Sequence, residues 1–481
     1  MTEHFDVLIV GAGISGIGAA RHLVERCPGK TYAILEARER IGGTWDLFRY
    51  PGIRSDSDMH TLGFRFKPWV AKRAIADGDS ILAYLEETAR EEGVDRHIRF
   101  QRKVSQASWS SDAARWTVEA TRGDTGELER LTCNFLFMCS GYYDYDHGHR
   151  PHFEGEERFE GRLVHPQHWP EDLDYAGKRV VVIGSGATAV TLVPAMAETA
   201  AHVTMLQRTP TYIATLPWED AIGNALKERF PADVAYALTR WKNVLFGLGF
   251  YTLSRRAPNL VRKLLRKGVV EQLPEGFDVD KHFNPPYGPW DQRLCLAPDG
   301  DFFASIREGK ASIVTDHIET FTERGIRLRS GDELEADIVV TATGLEVLFL
   351  GGVALSVDGR RIEPAEHMTY KAMMLSDVPN LALAVGYTNA SWTLKADLTS
   401  EYVCRLLSHM EARGYRACTP RSDPSVAEVP FFDFSSGYVQ RALPRLPKQG
   451  ERAPWRVKQN YLFDVFYLRH GALEDGVMQF A

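Results

Sequence analysis

A chain of 481 residues exceeds what one hydrophobic core supports, so two or three domains are expected. Lys and Arg total 57 against 64 Asp and Glu, and the net charge of -7 excludes the basic footprint a nucleic-acid binder needs. With 44% hydrophobic and 25% charged residues, the composition is that of an ordinary globular enzyme, neither disordered nor membrane-embedded.

The stretch Met1 to Asp6 carries no basic n-region and the apolar run after it stops at Val10, so no signal peptide is read there. Val7 to Val10 enters the loop Gly11-Ala12-Gly13-Ile14-Ser15-Gly16. Ile14 to Leu23 then has helical spacing, and Tyr32 to Leu35 is a second strand closed by Glu36. This is a β-α-β unit. Ile98 to Val104 reads as one strand-like run, and Phe135 to Met138 as a buried strand running into Cys139-Ser140-Gly141. The β-α-β pattern repeats with a strand at Arg179 to Ile183, a turn at Gly184 to Ala189, a helix at Val190 to Glu198, and a strand at His202 to Leu206 ending in Gln207-Arg208. Two mononucleotide folds in tandem predict an α/β fold of two Rossmann-like dinucleotide-binding domains.

From Pro217 to Asp280 the spacing of Trp241, Val244, Leu245, Leu248 and Tyr251 predicts a helical insertion. Val234 to Tyr251 comes nearest to a membrane span, but Arg240 and Lys242 interrupt it, and a buried helix is predicted. The doubly wound pattern returns at Ala311 to Val314 and at Asp337 to Gly344. A last strand, Leu381 to Val385, precedes Gly386-Tyr387-Thr388-Asn389, which opens a helix. The six cysteines form no C-x-x-C, which signals neither a zinc site nor a redox dithiol, and scattered thiols fit a reducing cytoplasm.

Each glycine loop carries a mechanism. Gly11 permits the tight turn, Gly13 lets backbone approach a pyrophosphate, and Gly16 allows close helix–strand packing. The helix N-terminus, Ser15 included, offers N–H groups and a positive dipole end to phosphates. Glu36, 20 residues after Gly16, suits the ribose hydroxyls. Gly184-Ser185-Gly186-Ala187-Thr188-Ala189 repeats the logic with Ala189 in the packing position. No acid follows its second strand. Gln207 and Arg208 stand there instead, and an arginine can hold a ribose 2′-phosphate by charge-assisted hydrogen bonds. NADPH is therefore expected over NADH.

Two further segments carry a family resemblance. Gly42-Gly43-Thr44-Trp45-Asp46-Leu47-Phe48-Arg49-Tyr50-Pro51-Gly52-Ile53-Arg54-Ser55-Asp56 matches G-G-x-W-x-x-x-x-Y-P-G-x-x-x-D. Phe159 to Pro170 matches F-x-G-x-x-x-H-x-x-x-W-P, with His165 and Trp169 spaced as on one helical face. Together with both loops these resemble the class B flavoprotein monooxygenases of Baeyer–Villiger type, over nearly the whole chain. The resemblance implies FAD on the first loop, with Thr44, Trp45, Asp46, Leu47, Asp56 and the backbone of Val104 near it. It implies NADPH on the second loop, with Arg54 and Ser55 contributing. It also implies Arg293, oriented by Asp56, as the catalytic group that stabilises a C4a-peroxyflavin and the adduct formed with a ketone. Larger relatives place Lys before that arginine. Here Gln292 stands there, which narrows the expected margin of NADPH over NADH.

The implied domains are a discontinuous FAD domain of residues 1–147 and 342–481, an NADP domain of residues 148–213 and 293–341, and a helical insertion of residues 214–292. The implied reaction inserts one atom of O2 beside a ketone carbonyl, with activity on sulfides and thioamides. The same loops would serve an enzyme whose main task is S- or N-oxygenation. Asp58 reads as a helix cap. His165 and His168 lack the companions of a metal site, and His165 is read as part of a linker rather than as an acid–base group. A more distant alternative is a non-enzymatic or membrane-associated flavoprotein. Its motivation is the run Arg255, Arg256, Arg262, Lys263, Arg266 and Lys267 in the insertion.

Overall fold

The computed structural model describes residues 2–432 and 434–481. Two sheets organise it. In the nine-stranded sheet, Glu3–Val10 lies between Tyr32–Leu35 and Leu128–Met138 and is parallel to both. All four residues of Tyr32–Leu35 are buried, as a strand covered on both faces requires. Leu128–Met138 is shared by two partners along its length. Its first part pairs antiparallel with Arg115–Arg122, and its end, Leu136 to Met138, pairs in parallel with Leu381–Leu383. A segment nearly 250 residues away in sequence thus completes the sheet.

The five-stranded sheet is wholly parallel, in the order Ala311–Thr315, His202–Gln207, Arg179–Ile183, Ile338–Thr341, Arg162–Val164. Its edge strand Arg162–Val164 lies inside the Phe159 to Pro170 motif. That motif is not a helix. After the strand there is only a 3-10 turn, Pro166–His168, bracketed by Pro166 and Pro170, so His165 and Trp169 do not share a helical face. Three residues between two prolines leave no room for an α-turn.

Other boundaries move for local reasons. The Ile98 to Val104 run is broken into Ile98–Arg99 and Arg102–Ser110, because Gln101 takes a left-handed φ of 54° and turns the chain. The strand after Asn380 ends at Leu383, and the following helix starts at Trp392, not at Gly386. Helices Ala221–Lys227, Ala232–Arg256, Pro258–Val270 and Val279–His282 form the insertion, closed at its base by the parallel pair Ile213–Leu216 and Cys295–Pro298. The Ala232–Arg256 helix is not buried as its apolarity predicts. Only six of its 25 residues are buried, because it covers the nine-stranded domain with one stripe and leaves another facing outward.

One buried charge fixes that helix. Arg240 donates to the carbonyls of His60 and Gly63, both at 2.8 Å, and lies 3.6 Å from the Asp397 carboxylate. Carbonyls and a carboxylate together offset the desolvation of a guanidinium that is 5% exposed.

Candidate functional site

Both glycine loops sit at the carboxyl ends of parallel strands, where open α/β sheets bind ligands. Gly11 has φ 103°, and a Cβ there would lie 2.6 Å from the Cys139 carbonyl oxygen. A Cβ on Gly16 would lie 1.9 Å from the Gly11 carbonyl oxygen, so the turn closes only with glycine at both places. The second loop repeats the geometry. Gly184 has φ 134°, and its Cβ would meet the Ala342 carbonyl oxygen at 2.3 Å. Around Gly186 nothing lies within 4 Å of a built Cβ, so its backbone is open to a close ligand. Ala189 is fully buried, as its packing position requires.

Glu36 is 5% exposed at the end of Tyr32–Leu35, and its carboxylate accepts from the N–H of Ala12 at 2.7 Å and of Arg38 at 2.8 Å. Burial raises its carboxyl above the ordinary value, against those two donors. Ser15 accepts from the Trp392 indole N–H at 2.7 Å, which ties the first loop to the late helix.

The Gly42 to Asp56 segment crosses from one sheet to the other. Gly43, at φ 55°, lies against Gly13, whose built Cβ would be 3.6 Å from the Gly43 Cα. The short helix Thr44–Leu47 follows, with the Thr44 hydroxyl 3.5 Å from that of Tyr145 and Trp45 half-buried on the first core. Asp46 is 3% exposed and pairs with Arg38 at 2.6 Å and Arg49 at 2.9 Å. Leu47, Phe48 and Tyr50 then enter the core of the second sheet. Gly52 packs on the helix of the second loop, where a Cβ would sit 2.7 Å from that of Ala195. Ser185 donates to the Thr209 carbonyl at 2.9 Å.

Of the NADP candidates, Arg208 is exposed and has no carboxylate within ion-pair distance among the described residues. Gln207 is 2% exposed and its amide is spent on the His282 carbonyl and the Thr315 hydroxyl. Arg54 is likewise engaged. It pairs with Asp301 at 2.5 Å and lies over the Trp218 ring at 5.4 Å. Ser55 is buried and accepts from the N–H of Ser57. Val104 is buried in Arg102–Ser110, at the bulge where the strand changes register against Arg115–Arg122.

Arg293 and Asp56 meet, with Nε 3.7 Å from Oδ2. That is a Coulombic pair beyond hydrogen-bond distance. Burial pushes the Asp56 carboxyl up, and Arg293 and Arg54 oppose the shift. Desolvation opposes the Arg293 charge, but the Asp56 carboxylate together with Tyr142, Tyr438 and Tyr143 outweighs it and holds the guanidinium above its ordinary value. The Arg293 side chain keeps 46% of its surface exposed, so its charge stays available to a reacting group.

Sequence reasoning missed the aromatic wall. Tyr142 stacks on Trp392 with centroids 5.1 Å apart and 18° between planes, and its hydroxyl meets that of Tyr143 at 2.7 Å. Tyr142 also lines an apolar cleft with Phe349, Phe431, Phe432 and Leu446. The available signal was a Tyr pair directly after a Cys139-Ser140-Gly141 strand end, the place where such sheets bind ligands.

The motif segment lies at the crossing between the sheets. The two connecting chains pair antiparallel, Tyr143–Gly148 against Leu345–Val347. The His165 ring packs on this ribbon so closely that a Cβ on Gly148 would be 2.0 Å from it. His165 Nδ1 accepts from the N–H of Gln167, while burial holds the ring below its ordinary pKa. Gln167 donates to the Asp144 carbonyl at 2.8 Å.

Known proteins resemble this chain in sequence and in fold. Residues 74–373 match the family described as flavin-binding monooxygenase-like, and residues 9–72 match the NAD(P)-binding Rossmann-like domain. The chain is 58% identical to the FAD-containing monooxygenase EthA of Mycobacterium tuberculosis (strain ATCC 25618 / H37Rv), covering 100% of this chain and 98% of that one. It is 50% identical to the probable FAD-binding monooxygenase AlmA of Acinetobacter baylyi, covering 100% and 97%. A solved oxidized steroid monooxygenase bound to NADP has the same fold, with a TM-score of 0.73 at 24% identity over 88% of each chain. The chain belongs to the flavin-binding monooxygenase-like family.

Proposed function

We propose that the protein is an FAD- and NADPH-dependent Baeyer–Villiger monooxygenase that inserts one oxygen atom of O2 beside a ketone carbonyl to give an ester, with sulfides and thioamides as further substrates. The observation that carries this is Arg293, paired with Asp56 and still exposed, beside a segment that runs from the first glycine loop to the second. The residues fit the cofactors. The first loop admits no side chain at Gly11 or Gly16, and Glu36 stands at the strand end where a ribose would lie. The second loop leaves Gly186 open, and Arg208, with no carboxylate partner among the described residues, can meet a 2′-phosphate.

When bound, FAD reduced by NADPH supplies the activated oxygen. The protein's task is positional and electrostatic. Arg293 stabilises negative charge that develops on the reacting oxygen atoms, and a preorganised cation does so without reorganisation during the reaction. Asp56 draws that guanidinium toward the site by its opposite charge. The stacked Tyr142 and Trp392, with Phe431 and Phe432, exclude water and favour an apolar substituent on the substrate. Arg208 favours NADPH. Gln207, Arg54 and Ser55 support the second loop's surroundings through their bonds to protein.

The test follows NADPH consumption by the FAD-loaded protein with a simple methyl ketone and identifies the product. Ester is expected. Uncoupled peroxide from ketones alongside sulfoxide from sulfides would assign heteroatom oxygenation instead, and a protein that cannot take up FAD would remove both readings.

A further inference from the structure

We propose that the helical insertion docks the protein on an anionic membrane surface, so that the apolar substrate reaches the site from the lipid. Two independent features of the same helices carry this. The first is apolar exposure. Along Ala232–Arg256, Val234, Leu238, Trp241, Leu245 and Leu253 recur at spacings of three, four and eight residues, which keeps them on one side of the helix. Each is about 39% or more exposed, and Leu245 and Phe246 reach 54% and 64%. Leu260 and Leu264, 50% and 55% exposed, continue on Pro258–Val270.

The second feature is charge. Lys242 is followed by Arg255, Arg256, Arg262, Lys263, Arg266 and Lys267, and no Asp or Glu occurs before Glu271, in a chain whose net charge is -7. Lys242, Arg255, Arg266 and Lys267 pair with Asp220, Asp291, Asp280 and Glu271, and Arg262 bonds the Tyr212 hydroxyl and the Tyr287 carbonyl. Arg256 and Lys263 are exposed, with no carboxylate at ion-pair distance among the described residues, and they alternate with Leu253, Leu260 and Leu264. Exposed apolar residues interleaved with unpaired cations suit the boundary between headgroups and acyl chains. A second copy is a poorer occupant, since a two-fold contact would set these cations against their own counterparts. No helix among the described residues is long and apolar enough to cross a membrane, so the contact is with the surface.

The docking helix is tied to the site. Arg255 bonds Asp291 at 2.6 Å, and Tyr251 meets the edge of Trp290 with centroids 5.7 Å apart, two to three residues before Arg293. The Ser435 N–H and hydroxyl clamp the Asp291 carbonyl from the other side, each at 2.9 Å. Docking would therefore bring the mouth of the Arg293 site to the lipid. Only this consequence for the substrate rests on the monooxygenase reading.

The experiment is co-sedimentation of the FAD-loaded full chain with vesicles of phosphatidylcholine alone or mixed equally with phosphatidylglycerol. Binding to the mixed vesicles only, weakened by high salt, is expected. The double substitution R256E/K263E should weaken it by about tenfold or more, and L245S/F246S should do the same. These surface variants should keep wild-type NADPH consumption with a water-soluble ketone in the absence of lipid, which separates this proposal from the enzymatic one. No binding by the wild type, or unchanged binding by both variants, would overturn it. So would sedimentation velocity showing a dimer that L245S/F246S dissociates while vesicles stay bare.

Discussion

At the residue scale, the proposed function divides one task between Arg293, as the charge, and Asp56, as its support. Their 3.7 Å separation leaves the guanidinium's hydrogen-bond donors unspent on Asp56, which a tight bidentate pair would consume. Substituting Arg293→Ala should leave reduction of the bound flavin by NADPH intact and lower product formation by about 100- to 1000-fold. Stopped-flow reduction and product analysis read the two steps separately, and an unchanged ester yield would show that another residue carries the charge. Arg208 has a different assignment. Arg208→Ala should raise the KM for NADPH by about tenfold, equivalent to one charge-assisted hydrogen bond, and leave that for NADH unchanged. Gln207→Ala should instead lower stability, because its amide holds His282 and Thr315.

At the element scale, the informative pieces join the two sheets. The Gly42 to Asp56 segment begins against the first loop and passes through the core of the second sheet, so it joins the two physically. The ribbon of Tyr143–Gly148 and Leu345–Val347 is the other crossing, and His165 fills the space a side chain at Gly148 would need. A Gly148→Ala change must displace the His165 ring. It should slow NADPH oxidation while FAD content stays at the wild-type level, as measured by stopped-flow and by flavin absorbance. Loss of FAD would show that the ribbon is needed for folding rather than for motion. The long helix Ala232–Arg256 defied its predicted burial for a physical reason. Periodicity shows that apolar residues share a face, not whether protein or another phase covers it.

Across the whole molecule, buried polar contacts hold the insertion to the domain of the larger sheet, Arg240 to Asp397 and Asn243 to Asp58. Burial alone would raise the carboxyl of Asp397, but His22 and Arg240 outweigh it and hold it below the ordinary value. Asp58 is likewise lowered, by His60 and Asn243. A carboxyl depressed in the folded state contributes stability that is present above its unfolded value of about 3.9 and is lost as pH falls through the folded value. Urea midpoints should therefore change little through these groups between pH 7 and 5, and fall below pH 4. Asp397→Asn should lower stability at neutral pH by about 3–5 kcal/mol, since it leaves Arg240 buried without its partner, and should flatten the acid limb.

Local rules reached far into this chain wherever function depends on residues close in sequence. The two loops, Glu36 and the cap at Asp58 follow from backbone sterics and helix-end hydrogen bonding, which a short window of residues contains in full. The structure shows the Asp58 carboxylate accepting from the Thr61 N–H at 3.1 Å. Where partners are distant, the sequence was silent or misleading. It could not show that Arg54 is spent on Asp301, that Tyr142 stacks on Trp392, or that Leu381–Leu383 completes the first sheet. The spacing of His165 and Trp169 was compatible with one helical face, whereas His165 caps a three-residue turn against Gly148. The sequence by itself determined the two nucleotide loops and the kind of chemistry their company suggests, because glycine sterics and strand–turn–helix order act within a few residues. Only the tertiary structure decided which charges remain free at the site and which apolar residues remain uncovered, because pairing and burial depend on groups brought together across hundreds of residues.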